Sequence, residues 1–449
     1  MRRTFESVPG SVVAPKGFLA SGVYCDIKRL GTGKGSDKGQ KRDLALIVSE
    51  VPATVAGLFT TNQVCAAPVK VCIPRAAKGR AQAIVANSGN ANACTGPRGL
   101  RDALEMAAVA AARIHLPAEH VLVASTGRIG VPMPMANVRD GIRRAAGLLG
   151  NAPEHGDEVA EAIMTSDTRP KQIAIEMKLA GRPVRIGGVC KGAGMIQPGM
   201  SVTGRRPAAM PVAGLHATML AFLTTDAAIE AKLLQRMLTH AVARSFNRIT
   251  VDGDMSTNDT VLVLANGLAG HQQLRWRPAA KPSREIGLFQ AGLDHVCLEL
   301  ARMIVRDGEG VTRFVTLRLS GARTCAEADA AVRAVANSAL VKASWFGGDP
   351  NWGRIIDALG YSPARIVEER VDIGYSAPGA PTVVWSLKKG RPTTTSFKQL
   401  CAAVAPREFD LHIRLNLGPA SAILYAADLT EEYVDFNKGD VSDPTKLGG

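Results

Sequence analysis

The chain of 449 residues is long enough for two or three domains and a large core. Aromatic residues make up only 4% of it, so that core must rest on Ala, Val, Ile and Leu. The net charge of +14 comes from Lys and Arg scattered along the chain, with no basic stripe among aromatics and no zinc-finger spacing. The charge therefore reads as a well-solvated surface or a preference for acidic small molecules, and excludes an evident nucleic-acid module.

Cysteines 25, 65, 72, 94, 190, 297, 325 and 401 are widely spaced and form no CxxC, which fits reduced thiols in a cytoplasmic protein. The start, Met1-Arg2-Arg3-Thr4-Phe5-Glu6, leads into no apolar stretch, so no secretory leader is expected. No apolar run reaches the roughly 18 residues a membrane span needs, so a membrane partner is not expected.

In chain order, 15–28 reads as turn and extended chain, and 31–43 as a Gly/Lys-rich loop. Short apolar runs predict strands at 44–48, 56–60 and 83–86. An Ala-rich helix is expected over 101–114, and a strand over 121–124 that turns at Ser125-Thr126-Gly127. Helices near 135–149 and 157–164 precede a hairpin of 173–179 and 184–189. Leu233, Leu234, Met237, Leu238 and Ala241 recur at helical spacing and predict an amphipathic helix over 230–245. The Arg/Pro-rich stretch 275–284 reads as a linker. Strands are expected at 311–319, 409–415 and 422–425, and a helix at 326–338. Helices alternate irregularly with adjacent strand pairs, which predicts an α/β class: a layered α/β sandwich with mixed sheets, not a doubly wound one.

Three motifs invite chemistry. Gly31-Thr32-Gly33-Lys34-Gly35-Ser36 has glycines like a phosphate loop but lacks its Lys-Ser/Thr pair and preceding strand, and reads as a surface loop. The run from Asp252 to Asp259 alternates oxygen ligands, yet Thr257 and Val263 stand where a calcium loop needs Gly and Glu. It reads as a turn stitched by Asp and Asn side chains, and no metal is expected. The third is Thr218 in Ala217-Thr218-Met219-Leu220-Ala221-Phe222. A Thr before an apolar run is ordinarily a helix N-cap. It becomes a nucleophile if the chain is cut just before it, because the freed α-amine, with a reference pKa near ~7.7–8.0, is a local general base. The residues alone leave both readings open.

Their context narrows the choice. Asn87-Ser88-Gly89-Asn90-Ala91-Asn92-Ala93-Cys94-Thr95-Gly96, Ala124-Ser125-Thr126-Gly127, Met164-Thr165-Ser166-Asp167-Thr168 and Lys191-Gly192-Ala193-Gly194-Met195-Ile196 occur in that order. So do Asn247-Arg248-Ile249-Thr250-Val251-Asp252-Gly253-Asp254, Asp307-Gly308-Glu309-Gly310, Gly348-Asp349-Pro350-Asn351-Trp352-Gly353-Arg354 and Asp428-Leu429-Thr430-Glu431-Glu432-Tyr433. With these the chain resembles the ornithine acetyltransferase, or bifunctional glutamate N-acetyltransferase, family over nearly its whole length.

The resemblance implies a self-processing enzyme of the N-terminal-nucleophile type with a smaller C-terminal α/β domain. The precursor is expected to cut itself between Ala217 and Thr218 into an α chain (1–217) and a β chain (218–449) that assemble as a heterotetramer. Residues 218–280 would complete the catalytic domain and 281–449 form the C-terminal one. It implies ping-pong acetyl transfer from N-acetylornithine to glutamate through Thr218, with acetyl-CoA as a further co-substrate in many members and no bound cofactor. Thr126 and Gly127 match the family's oxyanion site, where a hydroxyl and a backbone N–H meet developing negative charge. Thr165, Lys191, Glu309 and Asn437 match substrate-binding positions, and one cation with one anion suits an amino-acid substrate. Ser442 stands where the family has a final Thr.

The sequence departs from the family before the nucleophile. Residues 201–216, rich in Pro, Gly and Ala, stand between Pro198-Gly199-Met200 and Ala217. Such a loop need not unfold the protein, but self-cleavage needs a scissile carbonyl held in near-attack geometry. Thr203 is followed by Gly204-Arg205-Arg206 instead of an apolar run and is a poor alternative nucleophile. Two other readings stay open: a hydrolase of the same nucleophile type, and an uncut, inactive homologue.

Overall fold

The computed structural model describes residues 5–28, 41–205, 219–276 and 283–438. Ala217, Thr218 and Ser442 therefore lie outside the described residues, as do 31–40 of the Gly/Lys-rich loop, 206–216 of the extra stretch and 277–282 of the expected linker.

The first ten strands are β1 (Glu6–Ser7), β2 (Phe18–Val23), β3 (Leu44–Phe59), β4 (Arg80–Asn90), β5 (Val121–Arg128), β6 (Lys171–Leu179), β7 (Arg182–Lys191), β8 (Leu220–Thr225), β9 (Ile249–Thr250) and β10 (Thr260–Ala265). All but β9 form one nine-stranded sheet of order β1-β6-β7-β8-β10-β3-β4-β5, with β2 also on β3. Pairing is mixed: β8 runs parallel to β10 and β4 to β5, while β7 is antiparallel to β8 and β3 to β10. The later strands β11 (Phe314–Ala322), β12 (Asp372–Ser376), β13 (Val384–Lys388), β14 (Arg391–Pro392), β15 (Glu408–Arg414) and β16 (Ala420–Ala427) form a seven-stranded sheet with β9. The layered α/β sandwich with mixed sheets is thus as expected.

Helices cover both faces of the first sheet. On one lie α1 (Ala67–Ala77), α2 (Gly96–Arg113), α3 (Met135–Gly147) and α4 (Pro153–Ala162); on the other, α5 (Ala231–Arg244) and α6 (Arg284–Arg306). The central strands are apolar on both sides. In β8, Leu220 and Phe222 enter the first core while Ala221 and Leu223 enter the second; in β10, Leu262 and Leu264 oppose Val261 and Val263. That double burial explains why β8 and β10 read as unbroken apolar runs without alternation. The second sheet buries mainly one face, under α7 (Cys325–Asn337), α8 (Ala339–Phe346), α9 (Trp352–Gly360) and α10 (Phe397–Val404).

Several elements differ from the sequence reading. The two strands expected at 44–48 and 56–60 are one strand, β3, whose register shifts between Val48 and Ala53. Pro52 lies in that irregularity, where a residue without an N–H costs no ladder bond. The turn expected at Thr126-Gly127 is strand: β5 continues to Arg128, with Thr126 opposite Ser88 and Gly127 opposite Gly89. Helix α6 begins at Arg284, the last residue of the expected linker. Ser283 accepts from the Ile286 N–H at 3.3 Å, and Phe289, Leu293, Val296, Leu300 and Ile304 form the buried stripe. Although α6 follows the expected boundary at 280, its apolar face joins the core of the first sheet.

Candidate active site

Topology brings distant segments to one end of the first sheet. Strand β7 ends at Lys191, in register with Leu220 near the start of β8. Lys191 is 2% exposed and its ammonium donates to the Thr126 hydroxyl at 3.3 Å. Thr126 is fully buried. Gly127 has φ +131°, and a Cβ there would fall 2.3 Å from the Gly89 carbonyl carbon, so only glycine fits. The backbone of β5 is thereby pressed onto β4 beside the Lys191 cation.

Helix α6 delivers two acidic residues just past its end. Asp307 accepts from Lys171 and Thr168, the latter also through its N–H at 3.1 Å. The Glu309 N–H donates to the Ala193 carbonyl at 2.9 Å. A Cβ on Gly194 would fall 2.5 Å from the Glu309 carboxyl group, so the glycine makes room for the carboxylate in the loop after Lys191. Glu309 in turn accepts from the Asn437 amide at 2.9 Å, near the end of α11 (Glu431–Asn437). Thr165 is half-buried, and its N–H donates to Asp167 at 2.9 Å. The structure thus places Thr126 with Lys191, and Glu309 with Asn437; Thr165 reaches the group through Asp167. Cysteines 25, 72, 190 and 297 are buried, and all eight are unpaired.

Two buried carboxylates had no role in the sequence reading. Asp167 takes Lys171 at 2.6 Å and the Gly192 N–H at 2.7 Å on Oδ1, with Lys191 4.0 Å from Oδ2. Burial opposes its charge, but Lys171 and then Lys191 outweigh burial and hold it well below the usual carboxylate range. Asp259 is as deeply buried. Its Oδ1 accepts from the Met219 N–H at 2.6 Å, and its Oδ2 has no partner among the described residues. Burial pushes it well above the usual range, against the pull of that N–H and of Lys191. Next to it, the Asn258 amide donates to the carbonyls of Ala91 and Ser125, both at 2.7 Å, tying this loop to the strand that carries Thr126. Lys191 itself is lowered, chiefly by burial, against Asp167.

The supposed calcium-like run is a turn, as read. Asp252 accepts from Met195, Ile196 and Asp254 N–H groups at 2.6, 2.8 and 3.1 Å. Among the described residues no cluster of His, Cys, Asp and Glu could hold a metal, and no helix is long and apolar enough to cross a membrane. Thr203 is exposed. Ser201, the first residue of the extra stretch, exchanges backbone hydrogen bonds with Phe59 at 2.8 and 2.9 Å, so that stretch departs from a fixed point at the end of β3.

A buried cation here meets a strand hydroxyl beside a glycine backbone, donors of a kind that can face developing negative charge. Residues 20–439 match the model of the ArgJ family. The chain is 46% identical over 434 residues to the arginine biosynthesis bifunctional protein ArgJ of Symbiobacterium thermophilum, covering 96% of this chain and 98% of the relative. It is 42% identical over 438 residues to the glutamate N-acetyltransferase of Methanocaldococcus jannaschii, again covering 96% and 98%. A solved ornithine acetyltransferase of Mycobacterium tuberculosis, in complex with ornithine, is 38% identical, with a TM-score of 0.40 over 44% of this chain and all of that one. The chain belongs to the ArgJ family.

Proposed function

We propose that the protein moves the acetyl group of N-acetylornithine to glutamate in arginine biosynthesis, in the cytoplasm, through an acetyl ester on Thr218. The chain would first cut itself between Ala217 and Thr218, and the two products would remain together as a heterotetramer. In the first half-reaction the Thr218 oxygen bonds to the acetyl carbon while its proton passes to the Thr218 amine. The amide C–N bond then breaks, and ornithine leaves with that proton. In the second, the glutamate amine attacks the ester, the C–O bond breaks and the proton returns to the hydroxyl. Thr126 and the Gly127 N–H would face the oxyanion. Lys191 and Glu309 would meet the carboxylate and amine of the amino acids, with Thr165, Asn437 and Ser442 completing the pocket. Acetyl-CoA would be a second donor, and no metal or bound cofactor is called for.

The observation that carries this reading is the Lys191–Thr126 contact of 3.3 Å at the end of β7, in register with a strand that starts two residues after Thr218. The test mixes the purified protein with N-acetylornithine and glutamate and separates the products. Acetylglutamate formed by the native chain, and not by T218A, is the expected result. Free acetate instead would mean that water is the acceptor and the protein is a hydrolase.

A further inference from the structure

Four groups, from Thr165, Lys171, Lys191 and Gly192, converge on one carboxylate. Asp167 is 6% exposed as a residue, its side chain not at all. Its Oδ1 receives Lys171 at 2.6 Å and the Gly192 N–H at 2.7 Å; its Oδ2 receives the Thr165 N–H at 2.9 Å and faces Lys191 at 4.0 Å. Lys171 is fixed from its far side by Asp307, which also holds Thr168. The carboxylate thus fixes the main chain at Thr165 and at Gly192 and lies beside the buried Lys191. An Asp in a Thr-Ser-Asp-Thr turn ordinarily caps only its own loop; here it also bonds across to β7.

We propose that Asp167 is a positioning residue for Lys191: locked by Lys171, it holds the Lys191 ammonium charged and against Thr126, and sets Thr165 and Gly192 around the same substrate. This rests on Lys191 binding substrate as proposed above. Among the described residues, Asp167, Lys171, Glu309 and Asp259 act on the Lys191 charge, and the Cys190 thiol, which burial pushes up, is its chain neighbour. Lys171 repels the Lys191 charge, and the three carboxylates favour it. A carboxylate about 4–6 Å away shifts such a group by roughly 1–3 pH units.

The experiment measures the pH profile of kcat/KM for N-acetylornithine in the native protein, D167N and K171Q. D167N should move the alkaline limb down by about one pH unit or more and raise KM more than it lowers kcat. K171Q removes the repelling cation and should move the same limb up. A structural role alone would lower the active fraction of both variants and leave the limb in place, and that result would overturn the proposal. Should D167N not fold, the upward shift in K171Q decides. Should the native chain show no transfer, the function proposed above fails. The Lys191 titration is then followed by its 13Cε resonance, assigned with K191R. Opposite displacements in D167N and K171Q would still support the role of Asp167, and an unmoved titration would end it.

Discussion

Asp167 and Asp259 are both buried near Lys191, yet their surroundings push their acidities in opposite directions. Asp167 has a lysine at 2.6 Å, another at 4.0 Å and two backbone N–H donors, and it stays ionised. Asp259 has a single N–H donor and, among the described residues, an oxygen without a partner, and burial pushes it well above the usual carboxylate range. Depth alone therefore does not set charge at this site; the number and nearness of compensating groups do. The difference also divides the labour. Asp167 organises the groups that would hold a charged substrate, whereas Asp259 grips the backbone N–H one residue past Thr218.

The largest expected effect comes from breaking the charged side. D167N leaves two buried lysines facing an amide and should cost about 3–5 kcal/mol of stability at neutral pH, read by denaturant unfolding. An effect below about 1 kcal/mol would mean that Asp167 carries no charge in the folded protein.

The second expectation concerns pH. The Asp167 pKa is depressed on folding, so its contribution is present above the unfolded value near ~3.9 and fades as pH falls below it. The Asp259 pKa is raised, so its contribution is complete below that value and is lost as pH climbs toward its folded pKa. The penalty of D167N should accordingly shrink on going from neutral to strongly acidic pH. D259N should look better, relative to the native chain, at pH 8 than at pH 4. Equal trends in the two variants would erase the contrast drawn between them.

The smallest effect belongs to Asp259. D259N replaces a carboxyl that burial pushes above the usual range by an amide of the same shape that can still accept the Met219 N–H. It should cost only about 1 kcal/mol at pH 5, measured by thermal melting. A loss as large as that of D167N would show that Asp259 is ionised.

The sequence made much of this architecture legible, for physical reasons that can be named. Helix α5 was readable from its apolar stripe, and the β6–β7 hairpin from its alternating pattern. Strands β8 and β10 were not assigned, because apolar runs buried on both faces carry no alternation, and β2 was read only as extended chain. Thr126, Lys191 and Glu309 came from motif resemblance, and the structure places Thr126 against Lys191 while Glu309 meets Asn437. Asp167 lies inside a quoted motif without a role, since nothing local says that its partners come from β6, from the end of β7 and from the residue just past it. Asp259 reads from the sequence as part of a side-chain-stitched turn; its bond to Met219 spans 40 residues and has no local sequence signal.

The central claim is that Thr218 becomes an N-terminal nucleophile that carries the acetyl group. The most direct test is a denaturing intact-mass spectrum of the purified protein after brief exposure to N-acetylornithine alone, repeated after glutamate is added. The account predicts two chains, the lighter ending at Ala217 and the heavier starting at Thr218. The heavier should gain the mass of one acetyl group and lose it when glutamate arrives. A single uncut chain, or two chains of which neither gains an acetyl group, would contradict it.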